Sequence, residues 1–79
     1  AYLSQSLESD VYYDGNEMER KFQLAIASLP EKQKEVFHLK YYENKKYEEI
    51  SALIGGSVGG LKANYHHAVR KIKEFIDQH

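Results

Sequence analysis

The residues that could do chemistry are concentrated near the C-terminus. Four of the five glycines lie within residues 55–60, and Lys62, His66, His67 and Arg70 follow them. A glycine loop before a lysine can cradle phosphate, histidines can bind a metal or transfer protons, and basic helical residues can contact nucleic acid. The segment therefore has to be tested against nucleotide binding, metal or acid–base chemistry, and nucleic-acid binding.

The glycines do not form a nucleotide-binding loop. Gly55 and Gly60 have the spacing of G-x-x-x-x-G-K-[ST], but Leu61 stands at the lysine position. Lys62-Ala63 then supplies no hydroxyl for a metal ion, and no strand-like pattern precedes the glycines. We therefore reject a nucleotide site.

The histidines are poor candidates for a metal site or for catalysis. Adjacent helical residues point about 100° apart, so His66 and His67 cannot easily share one ion. No Asp, Glu or third His lies one turn away from them, and the chain has no cysteine. The sequence also offers no nucleophile–base pair and no paired carboxylates in an apolar setting. We predict a non-enzyme with no catalytic residues, no metal and no cofactor.

Composition predicts one small domain. The chain has 79 residues, of which 42% are hydrophobic. The lack of cysteine fits a reducing compartment, and no apolar run approaches the roughly 20 residues of a membrane span. These features predict a cytoplasmic protein without membrane insertion.

Charge is distributed unevenly along the chain. The total is −1, but residues 1–29 carry −3, residues 30–56 are balanced and residues 57–79 carry +2. The positive end coincides with the glycines and histidines. Its local sign favours an anionic partner.

Apolar periodicity predicts an all-α fold of four helices with no sheet. The first three helices are expected at residues 16–28, 30–42 and 47–54, and a longer fourth helix should run from an N-cap at Ser57 to about Ile76. Residues 1–15 are rich in serine and acids and show no periodicity, so we interpret them as a flexible linker or arm. The domain is then residues 16–79.

The helices also carry local expectations. Phe37 and Tyr41 should be buried on one side of the second helix. Lys46 is a poor N-cap for the third helix, since serine or threonine would serve better. The third helix should bury a single stripe, which consists of Tyr47, Ile50, Leu53 and Ile54.

The last two helices have the pattern of a helix-turn-helix. A short helix, a glycine-containing turn and a longer helix with a polar face are typical of this motif. Gly55 should end the third helix in the left-handed conformation. Gly59 and Gly60 would let another backbone approach, either DNA or a neighbouring helix of the same chain. The face opposite the apolar side consists of Gly59, Lys62, Ala63, His66, His67 and Arg70.

Three segments together resemble a known family. They are "LPEKQKEVF", "YEEIS" and "SVGGLKANYHHAVRKI", at residues 29–37, 47–51 and 57–72. In this order and spacing they are similar to region 4 of bacterial RNA polymerase sigma factors of the extracytoplasmic-function group, over about residues 16–76. The ending "LKANYHHAVRKI" is most like the factors of Bacteroidetes-type bacteria. Such factors also have a core-binding region 2, so the chain is expected to be a C-terminal domain preceded by interdomain linker.

The resemblance implies a winged-helix-like, sigma region 4 type of helix-turn-helix that binds the minus-35 promoter element through the fourth helix. Lys62 would contact a guanine edge or a nearby phosphate. The implied DNA contacts are Ser57, Gly59, Gly60, Lys62, Ala63, His66 and His67, with Arg70, Lys40 and Tyr47 on the flanking backbone. The family commonly has threonine at Gly60 and Ser-Arg at Ala63-Asn64, so its base preference need not carry over.

The resemblance also implies protein partners. They are the polymerase core, through its β flap, and an anti-sigma factor, with Leu39 and Tyr42 as the expected docking residues. Two alternatives stay open. The domain could serve chiefly as a protein-docking module, or it could be the helix-turn-helix output domain of a two-component or quorum-type regulator.

Overall fold

The computed structural model describes residues 14–78, and this range forms four α-helices and no strand. The helices are α1 (Asp14–Ala27), α2 (Glu31–Phe37), α3 (Tyr47–Ile54) and α4 (Val58–Gln78), and α2 continues as a π-helical turn, His38–Tyr42. The all-α helix-turn-helix prediction is confirmed. Residues 1–13 of the expected arm lie outside the described residues.

Helix α1 begins at Asp14, two residues before the expected domain start. Asp-Gly-Asn is typical of a turn, yet the helix includes it. Propagation adds one hydrogen bond per residue, and a single glycine costs only about 1 kcal/mol relative to alanine.

Two apolar clusters form the core. One joins α1, α2 and α4, and the other joins α2, α3 and α4. Tyr65 of α4 packs against both clusters and so connects them. The buried members of the first cluster are Ala25, Leu29, Phe37, Ala68 and Ile72, and those of the second are Val36, Ile50 and Leu61.

The chain changes helical geometry at His38. The Glu43 N–H donates to the His38 carbonyl at 3.2 Å, which is the five-residue spacing of a π-helix. Phe37 is buried as predicted, but the prediction for Tyr41 is wrong, since it is 54% exposed. Its ring stacks on Phe37 at 5.0 Å and meets the edge of Phe22 at 5.8 Å. Tyr41 therefore covers the inner rings while its own outer side faces water.

Helix α3 agrees with one expectation and corrects another, since the Lys46 side chain makes no capping hydrogen bond but the predicted buried stripe is incomplete. The Lys46 backbone N–H donates to Oε1 of Glu49 at 2.8 Å, so the helix start is capped by the glutamate of the first turn. Ile50 is fully buried, but Leu53 is 60% exposed and does not belong to a buried stripe. Leu53 lies at the edge of the apolar arc and borders an open groove, where no helix of the described range covers it.

Candidate nucleic-acid interface

The turn between α3 and α4 is built on two glycines in unusual backbone conformations. Gly55 has φ +85° and ψ 176°, and Gly56 has φ +96°. The prediction for Gly55 holds for the sign of φ, although its ψ places it in the extended, essentially glycine-only region rather than the left-handed helical one. The Gly55 N–H closes α3 on the Ser51 carbonyl at 2.9 Å, and the Ser51 hydroxyl donates to the Gly56 carbonyl at 2.6 Å.

Ser57 caps α4, as predicted. Its Oγ accepts a hydrogen bond from the Gly60 N–H at 3.0 Å, and its carbonyl accepts one from the Leu61 N–H at 2.9 Å. The side chain is exposed, and the hydroxyl hydrogen is still available to donate. Capping and a contact to DNA are therefore compatible at Ser57.

The first turn of α4 presents an open surface. A Cβ at Gly59 would meet no side chain or neighbouring element within 4 Å in the described part of the chain. A Cβ at Gly60 would meet only the Ser57 Oγ, at 3.1 Å. Close packing of another helix of this chain therefore does not explain either glycine. Both glycines leave the first turn of α4 open to an external molecule.

The predicted polar face of α4 is exposed along its whole length. Its members are Lys62, Ala63, His66, His67 and Arg70. Arg70 is one helical turn beyond His67, and its Nη2 lies 3.0 Å from the His67 Nδ1. The opposite side of the helix holds the buried residues Leu61, Ala68 and Ile72. This arrangement leaves the polar face accessible to a partner.

Tertiary structure brings three of the predicted site residues together from three elements. Lys40, from the π-helical turn, has its Nζ 4.6 Å from the ring centroid of Tyr47 at the start of α3. The Nζ of Lys62 in α4 is 5.8 Å from the same centroid. Both distances lie within the range of cation–π attraction. Tyr47 thus organises two positive charges beside the first turns of α4.

A hydrogen bond and a pKa shift further describe the group formed by Lys40, Tyr47 and Lys62. The Lys40 ammonium donates to the Lys45 carbonyl at 3.2 Å, which holds it near the ring. Burial raises the pKa of the Tyr47 phenol above its usual value near 10. The phenol therefore keeps its proton at neutral pH and can donate to an anion.

A second surface lies apart from these residues. An open groove of about 530 Å³ is bordered by α1, α2 and α3. Leu39 lines this groove, whereas Tyr42 does not; the Tyr42 hydroxyl accepts a hydrogen bond from Gln23 at 3.0 Å. The two predicted docking residues therefore do not share the groove. Its lining consists of Ile26, Glu31, Lys34, Glu35, His38, Leu39, Leu53 and Ile54.

Sequence reasoning missed two features of the site. It named Lys40, Tyr47 and Lys62 separately but did not foresee that one ring would gather both ammonium groups, because their separation along the chain carries no distance information. It also missed that Leu53 borders the groove. The available signal was its position at the edge of the α3 apolar arc. Among residues 14–78, no group of three or more His, Asp or Glu side chains could hold a metal ion.

Comparison with protein families decides the assignment. The family model described as "Sigma-70, region 4" matches residues 19–72. The chain belongs to this family. The match confirms the resemblance to region 4 of a sigma-70-type factor, while the likeness to Bacteroidetes factors stays a prediction. Comparisons with curated proteins and with solved structures returned no significant match.

Membership gives the region 4 domain its general role. Region 4 is a DNA-binding domain rather than an enzyme family, and it acts as part of a sigma factor with promoter DNA and RNA polymerase. We therefore set aside the alternative of an output domain from another class of regulator. None of the helices described here is long and apolar enough to span a membrane.

Proposed function

We propose that this region 4 domain recognises the minus-35 promoter element by placing the exposed face of α4 in the major groove. The observation that carries the proposal is the open, polar face of α4 beginning at the bare first turn around Gly59. A major groove admits one α-helix, and the N-terminal residues of a recognition helix contact base edges. Lys62 and His66 then lie one and two turns into the helix, within reach of the groove.

The start of α4 provides donors for the DNA backbone. The N–H groups of Gly60 and Leu61 are bonded to Ser57, whereas those of Val58 and Gly59 have no hydrogen-bond acceptor within the described range. Free first-turn N–H groups and the positive end of the helix dipole favour a phosphate. The absent side chain at Gly59 allows that phosphate or an adjacent sugar to approach closely.

In this proposal, Lys40, Tyr47 and Lys62 contact the DNA backbone beside the bases that α4 reads. The ring of Tyr47 places both ammonium groups beside the helix-turn-helix, and its protonated hydroxyl adds a donor. Each phosphate neutralised by a basic side chain contributes about −0.9 to the slope of log K against log salt concentration. With so few basic residues, binding by the domain alone should be weak and salt-sensitive. Polymerase would supply the remaining affinity by tethering the domain near the promoter in the cytoplasm.

Binding of selected promoters tests this function. Duplexes selected from a random pool by polymerase carrying the full-length factor serve as the DNA. Lys62→Ala should weaken binding roughly 10-fold and lower the salt slope by about one unit. Lys71→Ala removes the same charge from an exposed position about 180° around α4 and should have a much smaller effect. Equal effects of the two substitutions would contradict the assigned face.

A second function is supported by the groove. We propose that it docks the polymerase β flap and that an anti-sigma factor would compete for the same surface. Leu53 is 60% exposed at the rim, and the apolar lining comes from Ile26, Leu39 and Ile54. An exposed apolar concavity with charged residues at its border is typical of a protein-binding site.

Leu53→Asp tests docking separately from DNA binding. It should abolish pull-down of the factor by the β flap while circular dichroism stays helical. Leu24→Asp is the matched control, because Leu24 is 52% exposed but does not line the groove. Tyr42→Ala addresses the second predicted docking residue, which lies outside the groove. Retention of flap binding by Leu53→Asp would exclude the groove as the docking site.

A further inference from the structure

We propose that Arg70 is a positioning residue that holds His67 in a single tautomer and thereby sets which atoms of DNA His67 can contact. The inference rests on the proposed DNA-reading role of α4. It concerns a residue pair that lies entirely on the exposed face of that helix. His67 is the contacting residue, and Arg70 acts through it.

The hydrogen-bond chemistry of the pair has one consistent solution. The Nη2 of Arg70 lies 3.0 Å from Nδ1 of His67. A guanidinium has donors and no acceptor, so Nδ1 must be the acceptor and carries no hydrogen. A neutral imidazole has one N–H group, which is therefore on Nε2. His67 thus presents Nε2–H as a donor beyond the arginine contact.

This tautomer restricts the partner atom. A donor pairs with acceptors of the major groove, namely the N7 and O6 of guanine, the N7 of adenine and the O4 of thymine, or with a phosphate oxygen. It does not pair with the amino groups of cytosine or adenine. The reversed tautomer would present an Nε2 acceptor and select those amino groups instead. Arg70 therefore favours a hydrogen-bond donor over an acceptor at the Nε2 atom that His67 presents to DNA.

His66 supplies a comparison within the same chain. It is exposed on the same helix, and in residues 14–78 neither of its ring nitrogens has a hydrogen-bond partner. Its tautomers are consequently not fixed by a neighbour. We expect the tautomers of the two adjacent rings to differ because only His67 is hydrogen-bonded to Arg70.

Nitrogen-15 NMR of the histidine rings tests the tautomer directly. The 79-residue chain is measured at alkaline pH, where imidazoles are neutral. His67 should be almost entirely Nε2–H, and His66 should show a mixture of tautomers. Arg70→Ala should move His67 to the mixture seen at His66. Arg70→Gln, which keeps a side-chain N–H donor without the charge, should restore the Nε2–H form. A His67 ring that does not respond to Arg70→Ala overturns the proposal.

A double-mutant cycle tests the consequence for recognition. In polymerase holoenzyme with selected promoter duplexes, His67→Ala should weaken binding roughly 5-fold. Arg70→Ala should weaken it only about 2-fold, because about half of the His67 rings would still carry the Nε2–H proton. If Arg70 acts through His67, the double variant should lose no more than His67→Ala alone, roughly 5-fold, whereas independent contacts would give roughly 10-fold. Lys71→Ala controls for the loss of one positive charge. Arg70→Gln loses the charge but keeps a side-chain donor, so it should weaken promoter binding no more than Lys71→Ala does. An additive cycle overturns the proposal.

Modified duplexes distinguish a base contact from a phosphate contact. Replacing a purine N7 by carbon, or a guanine O6 or thymine O4 by hydrogen, at the relevant position should weaken binding by the wild type and leave binding by His67→Ala unaffected if the acceptor is a base. A neutral methylphosphonate should have that selective effect if the acceptor is a phosphate. If neither modification acts through His67, its Nε2–H does not contact DNA and the inference is wrong. The proposed function fails separately, if Lys62→Ala leaves promoter binding unchanged.

Discussion

The two glycine pairs at the helix-turn-helix have opposite relations to the fold. Gly55 and Gly56 have positive φ angles, so the turn itself requires them. Gly59 and Gly60 are helical, and on the described structure a Cβ at Gly59 would stand in open space. The first pair serves the backbone of the chain. No such backbone conformation requires the second pair, and within the described range Gly59 has no neighbour that a methyl group would meet, which agrees with the proposed close approach of DNA.

This difference separates stability from binding within six residues. A substitution in the first pair should act on the folded state, and one at Gly59 should act on the complex with DNA. The two kinds of effect can even have opposite signs, because alanine is a better helix former than glycine. Substitutions in and between the pairs therefore test the comparison.

The largest effect is expected for Gly55→Ala. The backbone at φ +85° and ψ 176° is essentially restricted to glycine, and other residues there cost about 1–3 kcal/mol. The free energy of unfolding should fall by that amount in urea denaturation followed by circular dichroism. An unchanged urea midpoint would mean that the turn can adopt another conformation and does not require glycine at position 55.

Ser57→Ala should have the next largest effect. Loss of the cap on the Gly60 N–H should lower the free energy of unfolding by about 1 kcal/mol. Ser57→Asn should restore stability, because asparagine is an equally good N-cap. Promoter binding by Ser57→Asn then shows whether the hydroxyl also contacts DNA. Wild-type affinity in this variant would assign Ser57 to capping alone.

Gly59→Ala should separate stability from function. With φ in the helical range and no contact for the new methyl group, the free energy of unfolding should rise by about 0.5 kcal/mol. Promoter binding by the holoenzyme should weaken, because the methyl group occupies space that the DNA backbone needs. A Gly59→Ala variant that is more stable than the wild type and binds the promoter equally tightly would show that DNA does not approach Gly59 closely.

Gly60→Ala should have the smallest effect on stability. The gain from reduced unfolded-state entropy is opposed by a Cβ 3.1 Å from the capping Ser57 Oγ. We expect a net change within about 0.5 kcal/mol, measured by the same denaturation. A large loss would show that the cap cannot adjust, and Gly60 would then belong with the glycines that the fold requires.

Local patterns predicted most of the fold. The third helix was predicted at residues 47–54 and lies there, and Ser57 caps α4 as expected. Both rest on interactions between residues close in sequence. The expectations for Tyr41 and Leu53 failed because burial depends on which element lies opposite a side chain. Periodicity gives the direction of Leu53 but not the open groove that it borders.

The site divides in the same way. The outward face of α4 follows from a helical repeat, so the sequence alone predicted that Lys62, His66 and Arg70 share one side. Its family likeness was also carried by three segments of the chain itself. Only the tertiary structure placed Lys40 and Lys62 at one aromatic ring and showed the space around Gly59 to be open. The physical reason is range: helix and capping preferences act over a few residues, whereas contacts between elements and unfilled space depend on how the whole chain packs.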